Sequence, residues 1–227
     1  MKKAIGITSC QCLKIDIYCL SAKVAEKVIV IVLRLADIAR EITSFPSLLA
    51  TRLAGKRFWE QLQTRLREPD TDAVTVLSFA GVEVMDASFA DEVFGTLAAQ
   101  RARKDVTFGA IILVDANETC IENLKMALET RADRESPERE RLRNCVLPIF
   151  IKDDEIALIG KFEDHVLQSF ELLSKHKTLT ARDLSDVLKL NLNAASTRLK
   201  TLADLGLARR IEIRDTQGKQ FVYHSLQ

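Results

Sequence analysis

Residues 191–207, NLNAASTRLKTLADLGL, constrain the fold of this chain more than any other stretch. At about 100° per residue, Ala195, Leu199 and Leu202 fall on one line, and small polar residues and a lysine fall opposite. The pattern predicts a helix with one buried face, with Leu205 at its margin. Gly206 is expected to end the helix, because the position after a helix end favours a left-handed residue. A helix with a polar outer face of this kind suits the major groove of DNA.

The outward face of this helix supplies most of the predicted DNA contacts. Recognition helices read base edges mainly through their N-terminal residues, where hydroxyl and amide groups donate or accept. A lysine further along the helix suits a phosphate. The predicted contacts in this helix are Asn193, Ser196, Thr197, Arg198, Lys200 and Thr201.

The flanking residues predict the rest of a small C-terminal unit. An amphipathic helix is expected over 162–176, and Thr180 with Asp183 forms a capping box that opens a second, short helix. Residues 208–214 and 219–225 alternate as strands around the turn 215–218. Further DNA contacts are predicted along this strand pair, at Arg210, Arg214 and Lys219.

The sequence words LTARDLSDVLKL, NAASTRLKTLADLGL and ARRIEIRDTQGKQFVYHSL occur in this order. Together they resemble the winged helix-turn-helix of ArsR- and MarR-type repressors. The resemblance covers about 60 residues and implies binding to double-stranded DNA. A homodimer is expected, because one winged helix buries little surface on DNA and two copies on a palindrome supply the missing affinity. Asp204 and Glu212 reduce the basic character of the unit, so a winged helix that contacts proteins or serves dimerisation is the alternative.

The N-terminal part predicts an α/β layer, because strands alternate with amphipathic helices. The charged segment 131–143 is interpreted as a solvated linker, and 144–160 as a hairpin that closes the first unit or packs on the second. The resulting domains are 1–130 (clearest over 40–130), the linker 131–143, the hairpin 144–160 and the C-terminal unit 161–227. Strands are predicted over 14–18, 28–33, 73–79 and 108–114, and helices over 47–66, 89–101 and 119–128.

The segment 84–95 contains the word S-F-A-D-E after a predicted strand. It resembles the motif of STAS-like domains, the fold of anti-sigma-factor antagonists. In those relatives an ATPase-type kinase phosphorylates the serine of this turn, and Ser88 occupies that position. The other interpretation is structural: Ser88 and Asp91 form an S-x-x-D capping box at a helix start.

The bulk composition narrows the class of protein. Residues 161–227 carry 11 Lys and Arg against 8 Asp and Glu, a net charge of +3, whereas the first 160 residues carry a net charge of −2. The +3 unit is weakly suited to phosphate contacts. Catalysis by Asp86, Asp91 and Glu92 is not expected, because acids at a helix start are ordinary dipole partners. We predict no enzyme, cofactor or metal site.

Two further features indicate a cytoplasmic protein. Cys10, Cys12 and Cys19 are interpreted as reduced thiols, because no zinc-ligand spacing is present. No signal peptide is evident, and the most apolar run, 28–33, is too short to span a membrane. The leading hypothesis is a DNA-binding transcriptional regulator whose STAS-like domain senses a ligand or partner. The alternative is a partner-switching protein that binds other proteins.

Overall fold

The computed structural model describes residues 30–66, 74–106, 108–134, 142–151, 155–215 and 218–226. The predicted strand over 14–18 and the three N-terminal cysteines lie outside these residues. The described residues form a mixed α/β structure with a parallel-rich sheet, which confirms the predicted fold class at this level. None of its helices combines the length and apolarity that a bilayer-spanning helix needs.

A five-stranded sheet organises the N-terminal part, in the order β1-β3-β5-β6-β7. The strands β1, β3, β5 and β6 run parallel to one another, and β7 pairs antiparallel with β6. The predicted hairpin therefore belongs to this sheet. The strands are β1 (Val30–Arg34), β3 (Val74–Ser78), β5 (Ala110–Val114), β6 (Cys145–Phe150) and β7 (Ile156–Lys161).

In the described residues, five helices and a π-helical turn lie between these strands. They are α1 (Leu35–Arg40), α2 (Arg52–Leu66), α3 (Ala87–Ala90), the π-turn (Asp91–Gly95), α4 (Thr96–Ala102) and α5 (Glu118–Asp133).

Two expectations for this region were wrong in detail. The helix predicted from residue 47 begins only at Arg52, because β2 (Leu48–Leu49) pairs with β4 (Val84–Met85). The strand predicted over 28–33 was expected to be buried. It corresponds to β1, which pairs only with β3 among the described strands, and its Val30 is 42% exposed.

Both faces of the five-stranded sheet are covered. Successive side chains of a strand point to opposite faces, so Ile111 and Leu113 join the cluster packed against α2 to α5, and Ala110 and Ile112 join a second cluster. That second cluster also contains the buried stripe of the C-terminal helices, including Leu199. The C-terminal unit therefore packs on the second face of the sheet.

The C-terminal unit combines three helices with an antiparallel sheet in the order β8-β10-β9. Its elements are α6 (Asp164–His176), β8 (Thr178–Thr180), α7 (Ala181–Leu188), α8 (Leu192–Asp204), β9 (Arg209–Asp215) and β10 (Gly218–His224).

The sequence signals for the ends of these helices are confirmed. Thr180 and Asp183 make both hydrogen bonds of a capping box at the start of α7. Gly206 has φ +71, as predicted for the residue after a helix end. The Leu207 amide donates to the Leu202 carbonyl and the Gly206 amide to the Ala203 carbonyl, which is the Schellman pattern.

Candidate nucleic-acid interface

The orientation of α8 follows from its periodicity. Ala195, Leu199 and Leu202 are completely buried, whereas the opposite face is open to solvent. Asn191 opens the helix, with its side chain accepting a hydrogen bond from the Ala194 amide at 2.8 Å. Among the predicted contact residues, Asn193, Ser196, Thr197 and Lys200 are exposed, and Arg198 and Thr201 are half-buried.

The hydroxyl groups of the two threonines on this face donate hydrogen bonds to backbone carbonyls of α8 itself. The Thr197 hydroxyl donates to the Asn193 carbonyl at 2.9 Å, and the Thr201 hydroxyl donates to the Thr197 carbonyl at 3.0 Å. Their hydroxyl oxygens retain acceptor capacity. The Asn193 and Ser196 side chains provide the remaining donors of the first turns.

The cations of α8 have intramolecular partners. Lys200 Nζ lies 2.7 Å from a carboxylate oxygen of Asp204, and Lys104 on the loop after α4 lies 2.8 Å from the same oxygen. Burial raises the pKa of Asp204, but the hydrogen bonds from Lys104 and Lys200 outweigh it, so the pKa lies below its usual value. Arg198 donates to the Gln168 side chain at 3.1 Å.

The strand pair β9–β10 carries the remaining predicted contacts. The Arg210 guanidinium stacks 3.5 Å from the centroid of the Phe221 ring. Glu212 pairs with Lys219 at 2.5 Å and with Arg214 at 3.0 Å. The hydrogen bonds from Lys219 and Arg214 lower the pKa of Glu212. Exposed ion pairs are weak, so these cations can exchange their partner for a polyanion.

Two exposed cations beside this surface were missed by the sequence analysis. Arg182 lies in the first turn of α7, and Lys189 follows that helix with φ +54. The sequence of α7 could have indicated these cations, because Leu184, Val187 and Leu188 mark the apolar side of the helix and leave its other side polar. Arg182 lies in the helix that precedes α8, and Lys189 is the residue that follows this helix. In a helix-turn-helix, the helix before the recognition helix crosses the DNA backbone.

The turn that contains Ser88 differs from its predicted form. Asp86, rather than Ser88, caps α3: its carboxylate accepts from the Phe89 amide at 2.6 Å. The half-buried Ser88 hydroxyl donates to the same carboxylate at 2.9 Å, and the Thr51 amide donates to its other oxygen. Burial raises the pKa of Asp86, but the hydrogen bonds from Thr51, Phe89 and Ser88 outweigh it and lower the pKa overall.

Asp91 is the buried centre of a charge cluster and does not cap a helix with Ser88. Its carboxylate lies 2.7 Å from Arg131 Nε and 3.0 Å from both Arg52 and Arg134. The helix α5 thus extends into the charged segment that begins at residue 131. Arg131, the first arginine of that segment, is an ion-pair partner of Asp91. The three arginine partners explain how Asp91, within the sequence S-F-A-D-E, can be only 4% exposed.

The described residues contain no group of three His, Cys, Asp or Glu side chains placed to hold a metal. Cys120 and Cys145 are buried and free. Burial raises the pKa of both thiols, that of Cys145 to about 12, which keeps them protonated at neutral pH. Unreactive, buried thiols of this kind act as small apolar side chains.

A comparison of the sequence with models of protein families, and with curated proteins, finds no match.

Proposed function

We propose that this protein is a cytoplasmic DNA-binding transcriptional regulator. In this proposal the C-terminal unit acts as a winged helix-turn-helix, and the N-terminal unit acts as a STAS-like domain that receives a ligand or partner signal. The element order supports it: three helices and a β8-β10-β9 sheet follow a parallel-rich sheet with connecting helices.

The observation that carries the proposal is the two-sided character of α8. Its apolar stripe is buried, and Asn193, Ser196, Thr197 and Lys200 are open on the other side. A recognition helix needs this division, because the buried side fixes its position and the open side reads bases. The pair β9–β10 adds Arg210, Arg214 and Lys219 as the cations of a wing.

The stoichiometry of the proposal follows from surface area. A single winged helix buries little surface on DNA, so two copies bound to a palindromic site supply the missing affinity. We therefore propose a homodimer. The C-terminal unit carries only a modest positive charge, which is more consistent with DNA binding by two chains than with tight binding by a single chain.

The first experiment tests the phosphate contacts. Lys200→Ala and Arg214→Ala are each expected to weaken binding to all DNA sequences and to lower the slope of log affinity against log salt by about one unit. Fluorescence anisotropy with sheared genomic DNA at several salt concentrations measures this slope. Arg57→Ala, an exposed arginine on α2, is the matched control and should leave it unchanged. An unaltered slope in both test variants contradicts the proposed contacts.

The second candidate is a partner-switching protein, favoured by the position of Ser88. Its hydroxyl lies in the first turn of α3, where a phosphate would meet free backbone amides and the positive helix end. A phosphate would also lose the Asp86 hydrogen bond and face that carboxylate. If this function holds, a pull-down recovers a histidine-kinase-like ATPase, Ser88→Ala alters that interaction, and genomic DNA is not retained. Unchanged partner binding by Ser88→Ala removes the switch.

A further inference from the structure

Arg101 on α4 is a buried cation that pairs with no carboxylate of the described residues. It is 2% exposed, and its guanidinium lies against the turn that ends α8. Nη1 donates to the Leu205 carbonyl at 3.4 Å, Nη2 donates to the Gly109 carbonyl, and Nε has no hydrogen-bond partner. None of the carboxylates in the described ranges forms an ion pair with it.

This arrangement is energetically unusual. A guanidinium has five N–H donors, and the two carbonyls account for only two of them. Burial of an uncompensated charge costs several kcal/mol, and buried arginines are normally paired. Burial lowers the pKa of Arg101 to about 10, so the side chain is still charged at neutral pH. An anion at this place would therefore remove a cost that the protein otherwise carries.

Arg101 lines a cavity of about 560 Å³ at the junction of the two units. The cavity lies between the end of α4, the residues that precede β6 and the C-terminal end of α8. Its volume falls within the range of small-molecule sites. Its charged lining residues are Arg101, Arg103, Lys104, Arg143, Asp105 and Asp204.

The lining has a surplus of positive charge. Lys104 and Asp204 neutralise each other. Arg103 is exposed and forms no ion pair with any described residue, and Arg143 is only 3.9 Å from Glu163 with a side chain 81% exposed. Asn144 and Thr201 add neutral polar groups to the wall. Asp105 is the other carboxylate of the lining, so four cations against two carboxylates leave a net charge of +2. Arg101 and Arg103 are the two of these cations that form no ion pair with a described residue.

We propose that this cavity binds a small organic anion through its phosphate or carboxylate group, held by Arg101 and Arg103. Guanidinium groups match both kinds of oxyanion, because parallel N–H donors meet two oxygens at once. Arg101 is the buried anchor, and Arg103 and Arg143 close the ligand from the solvent side. The inference goes beyond the proposed function and does not depend on it, since the site exists whether or not the chain binds DNA.

Isothermal titration calorimetry of the full chain with inorganic pyrophosphate and with citrate tests this site. Sodium chloride at matched ionic strength is the reference for general salt effects. We expect saturable binding with one site per chain for at least one of the two probes. Pyrophosphate binding alone identifies a phosphate ligand, and citrate binding alone identifies a polycarboxylate.

Variants then locate the binding. Arg103→Gln should weaken it about tenfold, the loss expected for one charge-assisted hydrogen bond. Arg57→Gln on α2 is the matched control and should bind like the unmodified chain. Arg101→Met should abolish binding, and circular dichroism establishes whether that variant folds. If it does not fold, Arg103→Gln decides the question.

Two results would overturn the proposal. One is the absence of saturable binding for both probes. The other is binding that Arg103→Gln and Arg57→Gln reduce equally, because the probe would then respond only to overall charge. DNA affinity is measured separately, so loss of the proposed function and loss of this site remain distinguishable.

Discussion

At the scale of single residues, buried charge is what most distinguishes this molecule. Asp91 and Arg101 are both nearly inaccessible, at 4% and 2% exposure, yet their surroundings are opposite. Asp91 is surrounded by three arginines, whereas the partners of Arg101 among the described residues are carbonyl oxygens. Gly95 makes room for the first cluster, because a Cβ there would lie 3.0 Å from Asp91 Oδ1 and 3.2 Å from Arg131 Nε.

Asp91→Asn should lower the free energy of unfolding by about 3 kcal/mol, because it leaves Arg131, Arg52 and Arg134 close together without their shared anion. Urea denaturation measures the change. Asp37→Asn is the matched control: Asp37 pairs with Arg40 on the surface, and its loss should stay within about 0.5 kcal/mol. Equal losses in the two variants would mean that the Asp91 cluster contributes no more than a surface ion pair.

These charged residues also mark the limit of what the sequence could predict. Helical periodicity placed Ala195, Leu199 and Leu202 on a buried stripe correctly, because apolar residues repeat with the helix period. The same reasoning cannot identify the buried Arg101 or the half-buried Arg131, because arginine is ordinarily exposed. Both side chains contact elements distant in sequence: Arg101 contacts the turn after α8, and Arg131 contacts Asp91 of the π-helical turn.

At the scale of elements, the end of α8 joins local and long-range structure. Gly206 completes the Schellman motif with φ +71, and the space beside its Cα is occupied by the Arg101 guanidinium. The glycine was predictable from the helix end alone. The β2–β4 pair was not, because two residues per strand give no periodicity to detect.

Gly206→Ala should cost about 3 kcal/mol of unfolding free energy, more than backbone strain alone explains. A Cβ would lie 2.6 Å from Arg101 Cζ, so overpacking adds to the left-handed penalty. Gly81→Ala is the control: its φ is +86, but the nearest atom to its Cβ is Ala36 Cβ at 3.4 Å. That variant should lose only about 1 to 2 kcal/mol. Thermal unfolding that affects both variants alike would contradict a close Arg101 contact.

At the scale of the whole molecule, the five-stranded sheet contributes buried residues to the cores of both units. One cluster of buried residues combines Ala110, Ile112 and Val146 of the sheet with Phe170 and Leu199 of the C-terminal helices. The other face holds Trp59, the single tryptophan of the chain. Separation of the two units would expose the apolar face that they share.

This arrangement predicts a single cooperative unfolding transition. Leu199→Ala should lower the free energy of unfolding by about 3 kcal/mol. The change should appear equally in Trp59 fluorescence, on the far side of the sheet, and in far-UV circular dichroism. Leu192→Ala, at an α8 side chain 52% exposed, is the control and should change little. A fluorescence midpoint that stays fixed while the dichroism midpoint falls would show that the units unfold separately.

Asp204 joins Lys104 of one unit to Lys200 of the other, one helical turn from the residues proposed to meet DNA. An oxyanion delivered beside Lys104 would compete with Asp204 for that ammonium and leave Asp204 to hold Lys200 more firmly. Under the proposed function, the bound anion would therefore act on DNA binding through electrostatic competition. Occupation of the cavity would then weaken the contact of Lys200 with DNA.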